Sequence, residues 1–179
     1  MFTKVCPHGI CFKRQGESLN MEPNEVINAM IKQIDKDVTN YVCGIIIDPG
    51  TDDCSTSDKC GSVYGFAIRI NSDEQKKYIF DSAEAAGDLR DDANLNEWCE
   101  IENGYFPLYW GKDKYMGSRI NAHTKDYKST GTIQLNTKKY LVNQDIIFGV
   151  IQCLNYEEYE EKIRNKHRDI LKTKSRDDE

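Results

Sequence analysis

No run of about 20 consecutive apolar residues occurs anywhere in the chain, so its hydropathy offers no membrane-spanning helix. The first residues, Met-Phe-Thr-Lys-Val-Cys-Pro-His, lack the long apolar stretch of a secretion signal, and a cytoplasmic setting is expected. There is no Cys-x-x-Cys pair of the kind that usually marks a zinc site. The seven cysteines are odd in number and suggest no disulfide framework. Cys6 and Cys11 enclose His8, and Cys54 and Cys60 form a second loose pair, but ordinary free thiols are expected here rather than zinc. Asp52 and Asp53 do not fit the spacing of an EF-hand loop. Internal repeats and low-complexity tracts are also missing.

What is present suits one decorated globular domain. The chain has 179 residues, 39% of them hydrophobic and 30% charged, with net charge −6. That balance is unlike a nucleic-acid-binding protein as a whole, but the charge is segregated. Residues 105–144 carry seven basic side chains against two acidic ones, while residues 70–104 carry ten acidic against three basic.

Pro23 opens a helical segment over residues 23–39, with Val26, Ile27, Met30, Ile31, Ile34 and Val38 on one face. Residues 41–47 (YVCGIII) predict a buried strand, and residues 48–61 a loop. Residues 62–70 predict another strand, Lys77 to Phe80 is a further strand candidate, and residues 82–104 are acidic and polar. Residues 105–110 predict a strand, 115–124 a helix, 131–135 and 140–142 short extended pieces, and 145–154 a buried strand. A last helix is expected over residues 156–172, followed by a polar tail over 173–179.

The stretch PLYWGKDKYMGSRINAH, Pro107 to His123, is the most informative. Gly111 is expected to end the strand and let the chain turn into a helix. Arg119 and His123, four apart, would share one face of that helix and point toward Tyr109. A phenol, a guanidinium, an imidazole and the Lys112 ammonium at one spot suit holding a phosphate and moving a proton.

This spacing, Y-x-G-K with an arginine eight residues after the glycine and a histidine four further on, resembles the second half of the GIY-YIG nuclease motif. That family includes homing endonucleases, a repair nuclease and some restriction enzymes. Trp110 stands where the motif has isoleucine. For the first half, Val63-Tyr64 in SVYGF matches best, with Ser62 in the place of a glycine. Tyr64 and Tyr109 are 45 residues apart, so the resemblance makes residues 71–104 an insertion. The family's late glutamate falls in DIIFGVIQCLNYEEYEEKIR. Glu160 fits better than Glu157, Glu158 or Glu161, because Ile163 follows it by three residues and it edges the apolar stripe.

The resemblance spans residues 62–172 and implies an α+β fold, a small three-stranded, mostly antiparallel sheet flanked by helices. Residues 1–61 would be an N-terminal extension. It implies a divalent-metal-dependent endonuclease acting on DNA, in restriction, mobile-element or repair work. Glu160 would hold one Mg²⁺ or Mn²⁺, Arg119 would clamp phosphoryl oxygens, and Tyr64 or Tyr109 would accept a proton from water. His123 and Lys112 would polarise the water or the phosphate, and Lys114, Lys125 and Lys128 would bind the nucleic-acid backbone. Double-strand cutting would imply a homodimer or sequential nicks. The competing expectations are a non-cutting nucleic-acid-binding or interaction module of the same fold, and a zinc-binding interaction domain built on the N-terminal cysteines.

Overall fold

The structure is a computed structural model, and it describes residues 10–13, 23–34, 41–46, 59–115, 118–124 and 131–174. The α+β expectation holds, with a sheet wider than expected. Five strands lie in the order β1-β2-β5-β3-β4, with every pairing antiparallel. They are β1 (Ile10–Lys13), β2 (Tyr41–Ile46), β3 (Lys59–Arg69), β4 (Tyr105–Tyr115) and β5 (Ile146–Gln152). The three strands of the resemblance are β3, β4 and β5. The segment expected as an N-terminal extension adds β1 and β2 to the same sheet, through β2 against β5.

The centre of the sheet follows from β3. Val63, Phe66 and Ile68 are β-branched or aromatic and fully buried, as a strand covered on both faces requires. Alternation sends Tyr64, Phe66 and Ile68 to one face and Val63 and Ala67 to the other. On the second face lie α1 (Glu25–Ile31) and α4 (Tyr156–Lys166). Val26, Ile27 and Met30 of α1 and Ile163 of α4 pack there with Trp110. On the first face lie α2 (Asp73–Ala85), α3 (Ser118–Thr124) and two short 3₁₀ turns at Leu135–Thr137 and Lys139–Leu141. The result is three layers around two apolar clusters.

Several local expectations are corrected. Lys77 to Phe80 is part of α2 rather than a strand. Ser72 caps this helix by accepting from the Gln75 amide, and Ile79 and Ala83, one turn apart, are buried. The segment expected as an insertion therefore supplies part of the core. Gly111 does not end its strand, since β4 pairs with β3 beyond it through Asp113 and Tyr115. The helix expected from Tyr115 starts at Ser118. The extended piece expected over 131–135 is reduced to an antiparallel bridge between Thr132 and Lys174 before Gln134, with φ of 48°, leads into the first 3₁₀ turn, and the piece expected over 140–142 gives way to the second. The first helix ends at Ile31, whereas residues 35–40 lie outside the described set.

The final helix stops at Lys166, and the chain then turns back along the outer side of β4. The Trp110 amide donates to Asp169 Oδ2 at 2.9 Å, and the Trp110 indole donates to the His167 carbonyl at 2.6 Å. The Leu171 amide donates to the Leu108 carbonyl at 2.9 Å. The same strap ties to the 71–104 segment, where the Arg90 amide donates to the Ile170 carbonyl and the Lys172 amide to that of Asp88. Among the described residues, no helix is long and apolar enough to cross a membrane.

Candidate functional site

The Tyr64, Tyr109, Arg119 and His123 side chains meet on one face of the sheet. Tyr64 on β3 pairs with Gly111 on β4, two residues after Tyr109, so both phenols leave the same face. A Cβ at Gly111 would lie 2.4 Å from the Tyr64 hydroxyl oxygen and 2.8 Å from the Tyr109 ring. Glycine is needed at that position to let the two rings converge. The α3 helix brings Arg119 and His123 over them, and the Ser118 hydroxyl ties its start to Asp113. The His123 ring centroid lies 5.4 Å from that of Tyr64 and 5.0 Å from that of Tyr109.

The hydrogen bonds fix a direction. The Ile133 amide donates to His123 Nδ1 at 2.9 Å. A neutral ring then carries its proton on Nε2 and donates to the Tyr64 oxygen, 2.7 Å away. Tyr64 also receives a hydrogen bond from Arg119 and shares one with Tyr109. With two donors already on its oxygen, Tyr64 directs its own proton to Tyr109. The chain of groups therefore runs from the buried Ile133 amide through His123 and Tyr64 to Tyr109. Tyr109 lines an open cleft of roughly 400 Å³. Arg119 is held by donating to the Gly131 carbonyl.

Burial dominates the electrostatics of the cluster. Burial pushes the Tyr64 phenol well above its ordinary value, Tyr109 adds to the rise, and Arg119 opposes it. Burial also raises Tyr109, against the pull of Arg164 and Arg119. Both phenols therefore keep their protons and can donate hydrogen bonds. Burial, helped by Arg119, drives His123 down to about 3. His123 is neutral and fully enclosed, with its Nε2 turned to the Tyr64 oxygen.

Glu160 is buried on α4, as its helical phase predicts, while Glu157, Glu158 and Glu161 are exposed. Its helix covers the opposite face of the sheet, and its carboxylate engages cations rather than the tyrosines. Arg164 Nη1 is 2.5 Å from one oxygen, and Lys112 Nζ is 3.8 Å from the other. Among the described residues, no group of three or more His, Cys, Asp or Glu side chains is arranged to hold a metal. Glu160 sits between two positive charges, so the residues as placed do not fit the Mg²⁺ or Mn²⁺ that the resemblance implies.

Lys112 and Lys114 are exposed on the second half of β4, whereas Lys125 and Lys128 lie outside the described residues. Cys6, His8 and Cys54 also lie outside them. Lys138, one of the seven positive charges of the basic segment, is buried with its Nζ 2.6 Å from Asp88 Oδ1 and adds nothing to a binding surface.

Three functional candidates escaped the reading of the sequence. Arg164 donates to the Trp110 carbonyl and approaches Asp169 Oδ1 at 3.3 Å, and Arg90 approaches the same oxygen at 3.7 Å. The Glu160–Arg164 spacing of four residues was a usable signal for one of them. Asp169 and Arg90 gave none, because the strap that joins them is a long-range arrangement. No family model, curated protein or solved structure is detectably similar to the chain.

Proposed function

We propose that this protein hydrolyses phosphodiester bonds in DNA at a site centred on Tyr109. The observation that carries the reading is the convergence of Tyr64, Tyr109, Arg119 and His123, with Tyr64 and His123 hydrogen-bonded at 2.7 Å. Tyr109 has Arg119 and Arg164 as its cationic neighbours. A phenol between two guanidiniums suits an oxyanion. The cations stabilise negative charge on the phosphoryl oxygens, and the phenol donates a hydrogen bond or a proton to the leaving oxygen. His123 and Tyr64 hold the Tyr109 oxygen in place from behind. Lys112 leaves β4 on the α4 face, where it meets Glu160, and takes no part in this cluster. Double-strand cutting would need two copies or successive nicks.

The test is incubation of plasmid and single-stranded DNA with Mg²⁺, with Mn²⁺ and with chelator, using Tyr109→Phe and Arg119→Ala as controls. Cleavage by the native chain that falls at least about a hundredfold in both variants supports the reading. No cleavage under any condition, or cleavage that both variants retain, overturns it. Activity that requires the added metal would show that Glu160 must first leave Arg164.

One observation favours a second reading, a nucleic-acid-binding module that does not cut. The Glu160 carboxylate is already neutralised by Arg164 and Lys112. DNA binding without cleavage, weakened by Arg119→Ala, is the outcome that selects it.

A further inference from the structure

Two cavities flank Tyr109 and Asp169, and both are lined by Arg90, Asp92 and Arg164. The smaller, roughly 170 Å³, adds Arg168, and the larger adds Tyr109 and Lys172. Asp169 forms their shared support. It is fully buried, its Oδ2 accepts from the Trp110 amide, and its Oδ1 faces both Arg90 and Arg164. One buried carboxylate thus holds two guanidiniums side by side. Arg90 comes from the 71–104 segment and Arg164 from α4, so distant parts of the sequence meet at one wall.

The remaining counter-ions differ in kind. Glu160 is buried and fixed on Arg164. Asp92, which meets Arg90 Nε at 3.1 Å, is 63% exposed. Asp91 is fully exposed and stands 3.9 Å from Lys172. Exposed pairs of this sort are weak and exchange readily for a better-placed anion. Asp92 and Asp169 both meet Arg90 at Nε, which leaves its Nη groups to face a tetrahedral oxyanion, whereas each nitrogen of Arg164 already has a partner.

We infer that the cleft beside Tyr109 is a backbone-phosphate subsite, in which Arg90, braced with Arg164 on Asp169, takes the phosphodiester next to the one that meets Tyr109. This rests on the phosphodiester reading of the Tyr109 site and extends it to a longer strand. It gives the 71–104 segment a task, since that segment delivers Arg90. Bound phosphate displaces Asp92 from Arg90, and Lys172 lies at the mouth as a further positive charge.

The test is binding, measured separately from cutting. Fluorescence anisotropy of a labelled single-stranded oligonucleotide is followed in chelator, across a salt series, for the native chain and for Arg90→Gln, Arg90→Lys and Asp92→Asn. Arg90→Gln should weaken binding about tenfold, the size of one lost charge-assisted hydrogen bond. It should also flatten the slope of log affinity against log salt by about 0.7, one phosphate on a single strand. Arg90→Lys should restore the slope in part. Asp92→Asn should tighten binding, because it removes the competing anion; a purely structural Arg90–Asp92 pair predicts no gain.

Unchanged affinity and slope in both Arg90→Gln and Asp92→Asn overturn the subsite, even if the protein cuts DNA. Arg90-dependent binding without any cutting supports the subsite and removes the hydrolytic reading instead. Competition by inorganic phosphate provides the final arm. Phosphate that binds through Arg90 while the oligonucleotide does not would assign the cleft to free phosphate and overturn the diester assignment.

Discussion

Tyr64 and Gly111 stand opposite each other across β3 and β4, and the missing side chain at Gly111 is what lets the Tyr64 phenol reach His123. The relationship gives Gly111 a purpose different from a turn. It is a strand residue that clears space for a ring.

A methyl group there has nowhere to go. In Gly111→Ala the new carbon would meet the Tyr64 hydroxyl at 2.4 Å and the Tyr109 ring at 2.8 Å. Overpacking of this kind costs about 1–3 kcal/mol. We expect a lower urea midpoint together with loss of DNA cleavage beyond what the stability change explains. Full activity in a folded Gly111→Ala protein would remove Tyr64 from the site.

Stability should fall on mild acidification, and the sign follows from His123. Its ordinary value is 6.5 and its folded value about 3. The unfolded chain takes up a proton as pH drops through about 6.5, and the native ring refuses it until about 3. The His123 contribution is thus complete above pH 6.5 and is lost progressively between 6.5 and 3, at a rate approaching about 1.4 kcal/mol per pH unit. Burial also lowers His167, which acts in the same direction, whereas Asp169, raised by burial, acts in the opposite one. Comparing urea unfolding of the native chain with His123→Phe at pH 7 and pH 5 isolates the ring. The native chain should lose more stability than the variant over that interval; equal losses would contradict the account. At pH 7 the variant should be weaker by about 1–3 kcal/mol, because the Ile133 amide loses its acceptor.

The buried ion pair between Lys138 and Asp88 makes a separate prediction. The Tyr140 hydroxyl donates to Asp88 Oδ2 at 2.8 Å, and Lys174 approaches the other oxygen at 3.3 Å. Lys138→Met should cost about 3–5 kcal/mol by leaving a buried carboxylate short of its partner. Adding Asp88→Asn should recover part of that loss, and chemical denaturation of the two single variants and the double variant reads the coupling. Strict additivity would mean that Lys174 and Tyr140 already satisfy Asp88 without Lys138.

The legible parts of the molecule were those written in local pattern. The strands β3 and β5 were visible as apolar runs, and the inward phase of Glu160 as a four-residue stripe. The fourfold spacing of Arg119 and His123 also predicted their shared direction, and α3 presents both to Tyr64. Four residues from Lys77 to Phe80 read as a strand because a window that short carries no period; Ser72, by capping α2, decided the matter. Lys138 counted as surface charge until its long-range partner Asp88 was seen. The burial that raises both tyrosines was not legible either, because a pKa depends on surroundings that composition does not reveal. Arg90 and Asp169 were invisible for the same kind of reason: only the return of the strap brings them together.

That strap also changes what the sheet offers to its surroundings. An outer strand with bare amides and carbonyls is a template on which another chain can add itself. On β4 the carbonyl of Leu108 and the amide and carbonyl of Trp110 are already occupied by residues 164–171 of the same molecule. The segment that assembles the arginine wall is therefore also the guard that keeps this side of the sheet from being extended by a neighbour.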